Sequence, residues 1–254
     1  MKTNLDLVAY AKAQVGKPYW YGTYGSVASK KYYEAKKKQY PSYYKWSYTQ
    51  DVEGVKVHDC IGLIKGALWC DSPDDTTPTY KKDQDMSASG MRRRCKVKGD
   101  IKTIPDVPGL LVFSEGHIGV YVGGGMVVDA RGHSKGVVEK PLSNHKWEEW
   151  GVCPLIEYDR EIVSKDAATE QQQPQKEGQT VNITFRVLTK GSKNKQVKAL
   201  QHLLMANGCP LPRYGADGSY GNETVAAVKK YQQKNGLQID GNAGRQTLTH
   251  IYGA

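Results

Sequence analysis

Phenylalanine is almost absent from this chain, with 2 residues in 254, and so are long apolar runs. Nowhere do about 20 apolar residues follow one another, which excludes a hydropathic membrane-spanning helix. Residues 1–15 lack the basic segment followed by an apolar one that marks a secretory signal. Leu7, Val8, Ala11 and Val15 recur there at helical spacing instead, with Asn4 as the candidate N-cap. The 5 cysteines (Cys60, Cys70, Cys95, Cys153 and Cys209) are odd in number, widely spaced and without a C-x-x-C pair. That pattern argues against a disulfide framework and a structural zinc site, and makes a buried inert thiol the default for each. Acidic residues are scarce at the C-terminal end: residues 181–254 hold 3 against 10 basic ones, whereas residues 1–157 hold 18 against 23. With a net charge of +10, the surface seeks a polyanion such as nucleic acid, anionic lipid or an anionic wall polymer.

Residues 159–181 are polar, glutamine-rich and nearly without side chains to bury, which reads as a flexible linker. It separates a catalytic-type domain, 1–158, from a smaller one, 182–254. The smaller domain repeats Asp-Gly-x-x-Gly-x-x-Thr at Asp217–Thr224 and Asp240–Thr247, 23 residues apart. Each Asp-Gly makes a turn that leads into a helix. Val197, Leu200, Leu203 and Leu204 mark one amphipathic helix, and Val225, Val228 and Tyr231 another. The expectation is a small all-α C-terminal domain of about three helices around one core.

The N-terminal domain reads as mixed. A helix over about 5–15 precedes residues 19–50, which are rich in tyrosine and lysine and poor in periodicity. Such a run suits a sugar chain or a nucleic acid strand, although a solvated insertion is its commoner meaning. A helix follows from Cys60 to Trp69, then strands over about 109–114, 117–122, 126–130 and 152–157. Helix first and then a meander of short strands is an α+β arrangement.

Chemistry concentrates at Asp59-Cys60-Ile61-Gly62-Leu63 and, 57 positions after the cysteine, at Gly116-His117-Ile118-Gly119-Val120-Tyr121. A thiol at a helix N-terminus meets unpaired backbone N–H groups and the positive end of the helix dipole, which should lower its pKa. The same N–H groups suit an oxyanion. Alternation puts His117, Gly119 and Tyr121 on one face of a strand and Ile118, Val120 and Val122 on the other, core-facing side. Asp129 is the first candidate to orient the imidazole, with His133 and Asn144 as alternatives. It lies on the His117 face if Gly123-Gly124-Gly125 all form the loop, whereas a two-residue loop would turn it away. His58 is expected at the surface or behind the site rather than as the base.

These residues resemble the NlpC-type cysteine peptidases, cell-wall endopeptidases with a compact papain-like fold. The family pattern of Gly-x-Pro-Tyr, Asp-Cys-Ser-Gly-Leu and Gly-His-Val-Gly-Ile-Tyr, with a polar residue 12 positions after the histidine, has counterparts here. They are Gly16–Tyr19, Asp59–Leu63, Gly116–Tyr121 and Asp129. The resemblance implies Cys60 as nucleophile, His117 as base, Asp129 as orienting residue, and Tyr19 and Asp59 at the oxyanion or substrate position, with no metal and no cofactor. The chain departs from the pattern in a longer segment between Tyr19 and Cys60, in Ile61 where serine is common, and in Asp129 where histidine is common. Residues 185–252 resemble the three-helix peptidoglycan-binding domain. Together the two resemblances imply a phage or prophage endolysin whose partners are bacterial peptidoglycan and anionic wall polymers, with no nucleic acid and no membrane anchor. Such a protein is made in the bacterial cytoplasm and reaches the wall by holin-dependent release. The implied reaction is hydrolysis of a stem-peptide amide after D-γ-glutamyl. The alternatives are an N-acetylmuramoyl-L-alanine amidase on the same scaffold and a non-catalytic wall-binding protein.

Overall fold

Thr3, one residue before the expected cap, starts the first helix. Its hydroxyl accepts from the Asp6 N–H while the Asp6 carboxylate accepts from the Thr3 N–H, forming a capping box. Asn4 lies inside the helix and donates its side-chain amide to the Pro108 carbonyl at 3.0 Å. The computed structural model describes residues 2–158, 162–163, 182–183 and 187–253. Helix α1 (Asn4–Ala13) is buried on most sides rather than along one stripe, because Leu5, Leu7, Val8, Ala9, Tyr10 and Ala11 are all covered. Val15, expected on its apolar face, falls beyond the helix end and is exposed.

Strand β1 (Tyr24–Val27), helix α2 (Lys30–Gln39), strand β2 (Lys56–His58) and helix α3 (Cys60–Trp69) follow. Helix α3 has the bounds its apolar spacing predicts. Then come α4 (Ala88–Arg94), β3 (Lys98–Asp100), β4 (Leu111–Ser114), β5 (His117–Gly123), β6 (Met126–Ala130), β7 (Val137–Pro141) and β8 (Glu149–Gly151). Strands β3 to β8 form an antiparallel sheet in the order β3-β8-β4-β5-β6-β7. The strand expected at 152–157 lies earlier, at 149–151, where β8 pairs with both β3 and β4. Pro154, which has no N–H for a ladder, stands just beyond it. The fold is thus mixed helix and antiparallel sheet, with helices alone in the described C-terminal part from Lys195 onward.

The sheet has two covered faces. Ile118, Val120, Val122, Val128 and Ala130 enter the core with α1 and with Leu63, Ile64 and Leu68 of α3. On the other face Val112, Tyr121 and Val127 pack with Val107, Leu110, Trp147 and Trp150. The alternation read from β5 therefore holds, and its polar-looking face is roofed by tryptophan.

The tyrosine–lysine segment is more than a solvated insertion. It forms α2, and Trp20, Ala28, Tyr33, Tyr44 and Val57 make a third, aromatic core there. Few aliphatic residues are available in 19–50, so ring-on-ring packing replaces them: Trp20 meets Tyr33 edge-on at 5.7 Å and Tyr44 at 6.3 Å.

The expected linker lies almost wholly outside the described residues; within it Ile162–Val163 pairs antiparallel with Asn182–Ile183. Beyond it stand α5 (Lys195–Ala206), α6 (Asn222–Lys234) and α7 (Arg245–Gly253). The repeat has a physical cause that goes past helix starts. Gln201, buried on α5, donates to Asp217 Oδ1, the Ser219 carbonyl and Thr224 Oγ1, and accepts from the Gly218 N–H. One repeat later Gln232 on α6 does the same to Asp240, Asn242, Thr247 and Gly241, at 2.8–3.0 Å. Each Asp-Gly turn is thus locked by a glutamine from the preceding helix. Gln232→Ala leaves a buried N–H and a buried hydroxyl short of partners, and is expected to cost about 2–4 kcal/mol. Urea unfolding of the full chain reads this; a loss below about 0.5 kcal/mol would contradict the lock.

Candidate active site

Cys60 is the first residue of α3, and Asp59 caps that helix. The Asp59 carboxylate accepts from the Gly62 N–H at 2.6 Å and from the Gly22 N–H at 2.8 Å. Both oxygens are therefore spent on backbone, and the side chain is 8% exposed. Asp59 was expected at the substrate or oxyanion position; it is turned inward instead, where it holds the helix start against the Gly22 turn. Gly62 is small because α3 approaches Thr23: a Cβ there would lie 1.8 Å from the Thr23 carbonyl oxygen. Tyr19 bridges His58 in parallel register, and its hydroxyl lies within electrostatic reach of Asp59 and Cys60. Burial, with those two neighbours, pushes the Tyr19 hydroxyl's pKa up, so it stays a hydrogen-bond donor.

Cys60 is partly exposed, while Cys70, Cys95, Cys153 and Cys209 are buried. Its thiol does not have the lowered pKa expected at a helix N-terminus. Burial pushes it up to about 12, the Asp59 carboxylate adds to the rise, and the N–H groups of Ile61, Ile118 and Cys60 offset only part of it. The capping carboxylate that organises α3 also opposes the helix dipole at the sulfur. The Ile118 contact places the thiol at the first residues of β5. No hydrogen bond joins Cys60 to His117 in this arrangement.

His117 opens β5, its side chain 19% exposed. Its Nε2 is 2.8 Å from Asp129 Oδ2, which leaves Nδ1 as the nitrogen available to a thiol. The register that makes this pair possible arises in an unexpected way. Gly124 and Gly125 form a two-residue turn, but the ladder shifts by one between Tyr121 and Gly123. The bulge restores the odd register, so Val120 faces Val128 and Asp129 stays on the His117 side. Positive φ angles of 94°, 57° and 76° at Gly123, Gly124 and Gly125 allow it. Asp106 fixes the turn by accepting from the Gly124 N–H and the Tyr121 hydroxyl, at 2.9 and 2.7 Å.

Asp129 is fully buried and takes a second partner that sequence reasoning missed. Arg131 donates from Nε to Oδ2 at 2.9 Å and from Nη2 to Oδ1 at 2.8 Å. Burial alone would raise the Asp129 carboxyl; the His117 and Arg131 hydrogen bonds outweigh it and hold the group below the usual range. Asn144, one alternative third member, accepts from Arg131 Nη1 at 2.8 Å and so stands one step behind Asp129. His133, the other, stacks on Trp46 at 3.9 Å. The period of two carried one residue past β6 puts Arg131 on the Asp129 side, a signal legible in the sequence. Trp147 had no such signal: it stacks on His117 at 5.5 Å from the loop before β8. Beside it His145, whose Nε2 is 2.9 Å from Ser114 Oγ, meets His117 edge-on.

Gly119 keeps room for this assembly. A Cβ there would lie 2.8 Å from Val127, 3.0 Å from the Trp147 ring and 3.2 Å from Asp129 Cβ. Gly119→Ala is expected to cost about 1–3 kcal/mol and to reduce turnover about tenfold or more by displacing the His117 supports. Thermal unfolding and kcat, measured on the same preparation, check both.

His58 is neither at the surface nor at the base position. It is fully buried with Nε2 2.8 Å from the Tyr10 hydroxyl, and burial, with Lys56 and Lys17 nearby, pushes its pKa down to about 3. The unfolded chain therefore binds a proton at His58 that the native protein refuses between pH 6.5 and about 3. Stability is full above pH 6.5 and falls with acidification, by about 2 kcal/mol from His58 alone on reaching pH 5. Urea titrations at the two pH values, on wild type and His58→Asn, read this; an unchanged difference in the variant would contradict it.

Residues 193–251 match the family described as "Putative peptidoglycan binding domain". The chain is 54% identical over 69 residues to the N-acetylmuramoyl-L-alanine amidase CwlL of Bacillus licheniformis, a stretch that is 27% of this chain and 19% of that protein. It is 44% identical over 88 residues to a probable N-acetylmuramoyl-L-alanine amidase of the same organism, covering 35% of this chain and 23% of that one. The chain thus spans about a fifth of the length of the curated relatives it matches. Among solved structures, NlpC2 from Trichomonas vaginalis is 16% identical with a TM-score of 0.35, covering 59% of this chain and 47% of that one. A peptidoglycan-binding protein from Clostridioides difficile is 21% identical with a TM-score of 0.25, covering 50% of this chain and 70% of that one. What the family match establishes is a domain of the peptidoglycan-binding type in residues 193–251.

Proposed function

We propose that this chain is a peptidoglycan hydrolase of the NlpC type, with a papain-like catalytic domain over 1–158, a linker over 159–181 and a wall-binding domain over 182–254. The observation that carries the reading is the line His117–Asp129–Arg131 at the start of β5, with the Cys60 thiol held at the neighbouring Ile118 N–H. Cys60 Sγ adds to an amide carbonyl carbon of the stem peptide as His117 takes the thiol proton. N–H groups at the start of α3 and the Tyr19 hydroxyl hold the oxyanion. His117 then protonates the leaving amine, and water hydrolyses the thioester. Asp129 orients the imidazole and stabilises its charged form, while Arg131 keeps Asp129 ionised. The resemblance to phage-type endolysins extends the reading to lysis of a host wall, and favours the bond after D-γ-glutamyl.

A second reading, cleavage between sugar and peptide, is favoured by the names of the curated relatives, both amidases. Digestion of several purified peptidoglycan types, followed by fragment masses, separates the two. New amines within the stem peptide support the endopeptidase. Whole stem peptides released from the glycan support the amidase. No fragments from any wall type would overturn both in favour of a non-catalytic wall-binding protein.

A further inference from the structure

The aromatic segment between Tyr19 and β2 spends most of its rings on its own core. One pair is left over. Tyr43 is 55% exposed and lies face to face on Tyr21, with ring centroids 3.7 Å apart and planes 6° from parallel. Tyr40 meets Tyr21 edge-on at 5.1 Å and braces the pair from the side. The pair stands beside the thiol's helix. Gly22, next to Tyr21, donates its N–H to the Asp59 carboxylate at 2.8 Å, and Asp59 caps the helix that begins at Cys60. The turn that carries Tyr21 is therefore fastened to the start of α3, with the Tyr43 ring open to solvent.

The chemistry of this platform favours a sugar over a nucleic acid strand. A two-ring stack offers one broad apolar face with hydroxyls at its rim, which fits the C–H face and the hydroxyls of a pyranose. Two of the neighbouring lysines are turned onto the insertion itself. Lys36 Nζ donates to the Gly22 carbonyl at 2.6 Å and sits 5.5 Å from the Tyr32 ring, and Lys37 lies over Tyr33. Their charges are engaged in holding the insertion together.

We propose that the Tyr21–Tyr43 platform is a sugar subsite beside Cys60, taking an N-acetylated pyranose of the glycan that bears the stem peptide. This rests on the hydrolase reading above, and it makes the glycan-linked peptide the preferred substrate over the free peptide.

The test compares kcat/KM for a stem peptide with and without its disaccharide, using the full chain. Wild type is expected to favour the linked form about tenfold, the size of one aromatic contact. Tyr43→Ala should lose most of that preference while cleaving free peptide at the wild-type rate, and Tyr43→Trp should keep it. Equal rates on the two substrates in wild type, or an equal loss on both in Tyr43→Ala, would overturn the subsite. If wild type cleaves neither substrate, the hydrolase reading has failed, and calorimetric binding of the free disaccharide decides the subsite. Weaker binding by Tyr43→Ala than by wild type supports it, and identical binding overturns it.

Discussion

Cys60→Ala is expected to lower hydrolysis of purified peptidoglycan by about 10⁴-fold or more, because the proposed covalent route has no other nucleophile. The other cysteines cannot substitute. Cys70, Cys95, Cys153 and Cys209 are buried, whereas Cys60 is partly exposed and its thiol lies at the Ile118 N–H, next to His117. Sedimentation with walls should be unchanged, since residues 193–251 provide the family's wall-binding domain. Amine release by the variant at a rate near that of wild type would remove Cys60 from the mechanism.

The second largest effect is expected from Asp129→Asn, a loss of about 10²–10³-fold in kcat with little change in KM. Asp129 is fully buried and accepts from two basic side chains at once. An asparagine has one acceptor oxygen. It must turn an NH₂ toward either His117 or Arg131, which spoils the imidazole tautomer or strands the guanidinium. The same change should cost about 3–5 kcal/mol of stability, as breaking a buried ion pair does. The pair of effects can be separated with Asp129→Asn/Arg131→Gln, which should recover much of the stability and none of the rate. A double variant that recovers turnover as well would show that Asp129 acts only through folding.

The helix that carries the candidate nucleophile and the strand that carries the candidate base were legible because their signals are local. Cys60–Trp69 has an apolar spacing bounded by an aspartate cap, and β5 alternates cleanly. The third member was legible only as a condition, since a turn's length does not reveal a bulge. The structure meets that condition with a two-residue turn and one extra residue in β5. Strands β1, β2, β3 and β7 are not in the expected set, and β8 lies a few residues before its expected place; β3 and β8 are three residues long and gain their identity from pairing with each other and, for β8, with β4. Helix α2 was missed for another reason. Its apolar contacts come from tyrosines, which sequence periodicity treats as ambiguous, and its lysines lie over those rings. The thiol's raised pKa was the least legible feature, because the cap that predicts the helix also supplies the opposing charge.

The central claim is that a single thiol, Cys60, performs the chemistry. The most direct measurement is stoichiometric alkylation of the native full chain at pH 8.5, with peptide mass mapping and residual hydrolysis followed on the same samples. Because Cys60 alone of the five cysteines is partly exposed, the label is expected there first. Activity should fall in proportion and reach zero at one equivalent. Full hydrolysis with Cys60 completely alkylated would contradict the mechanism.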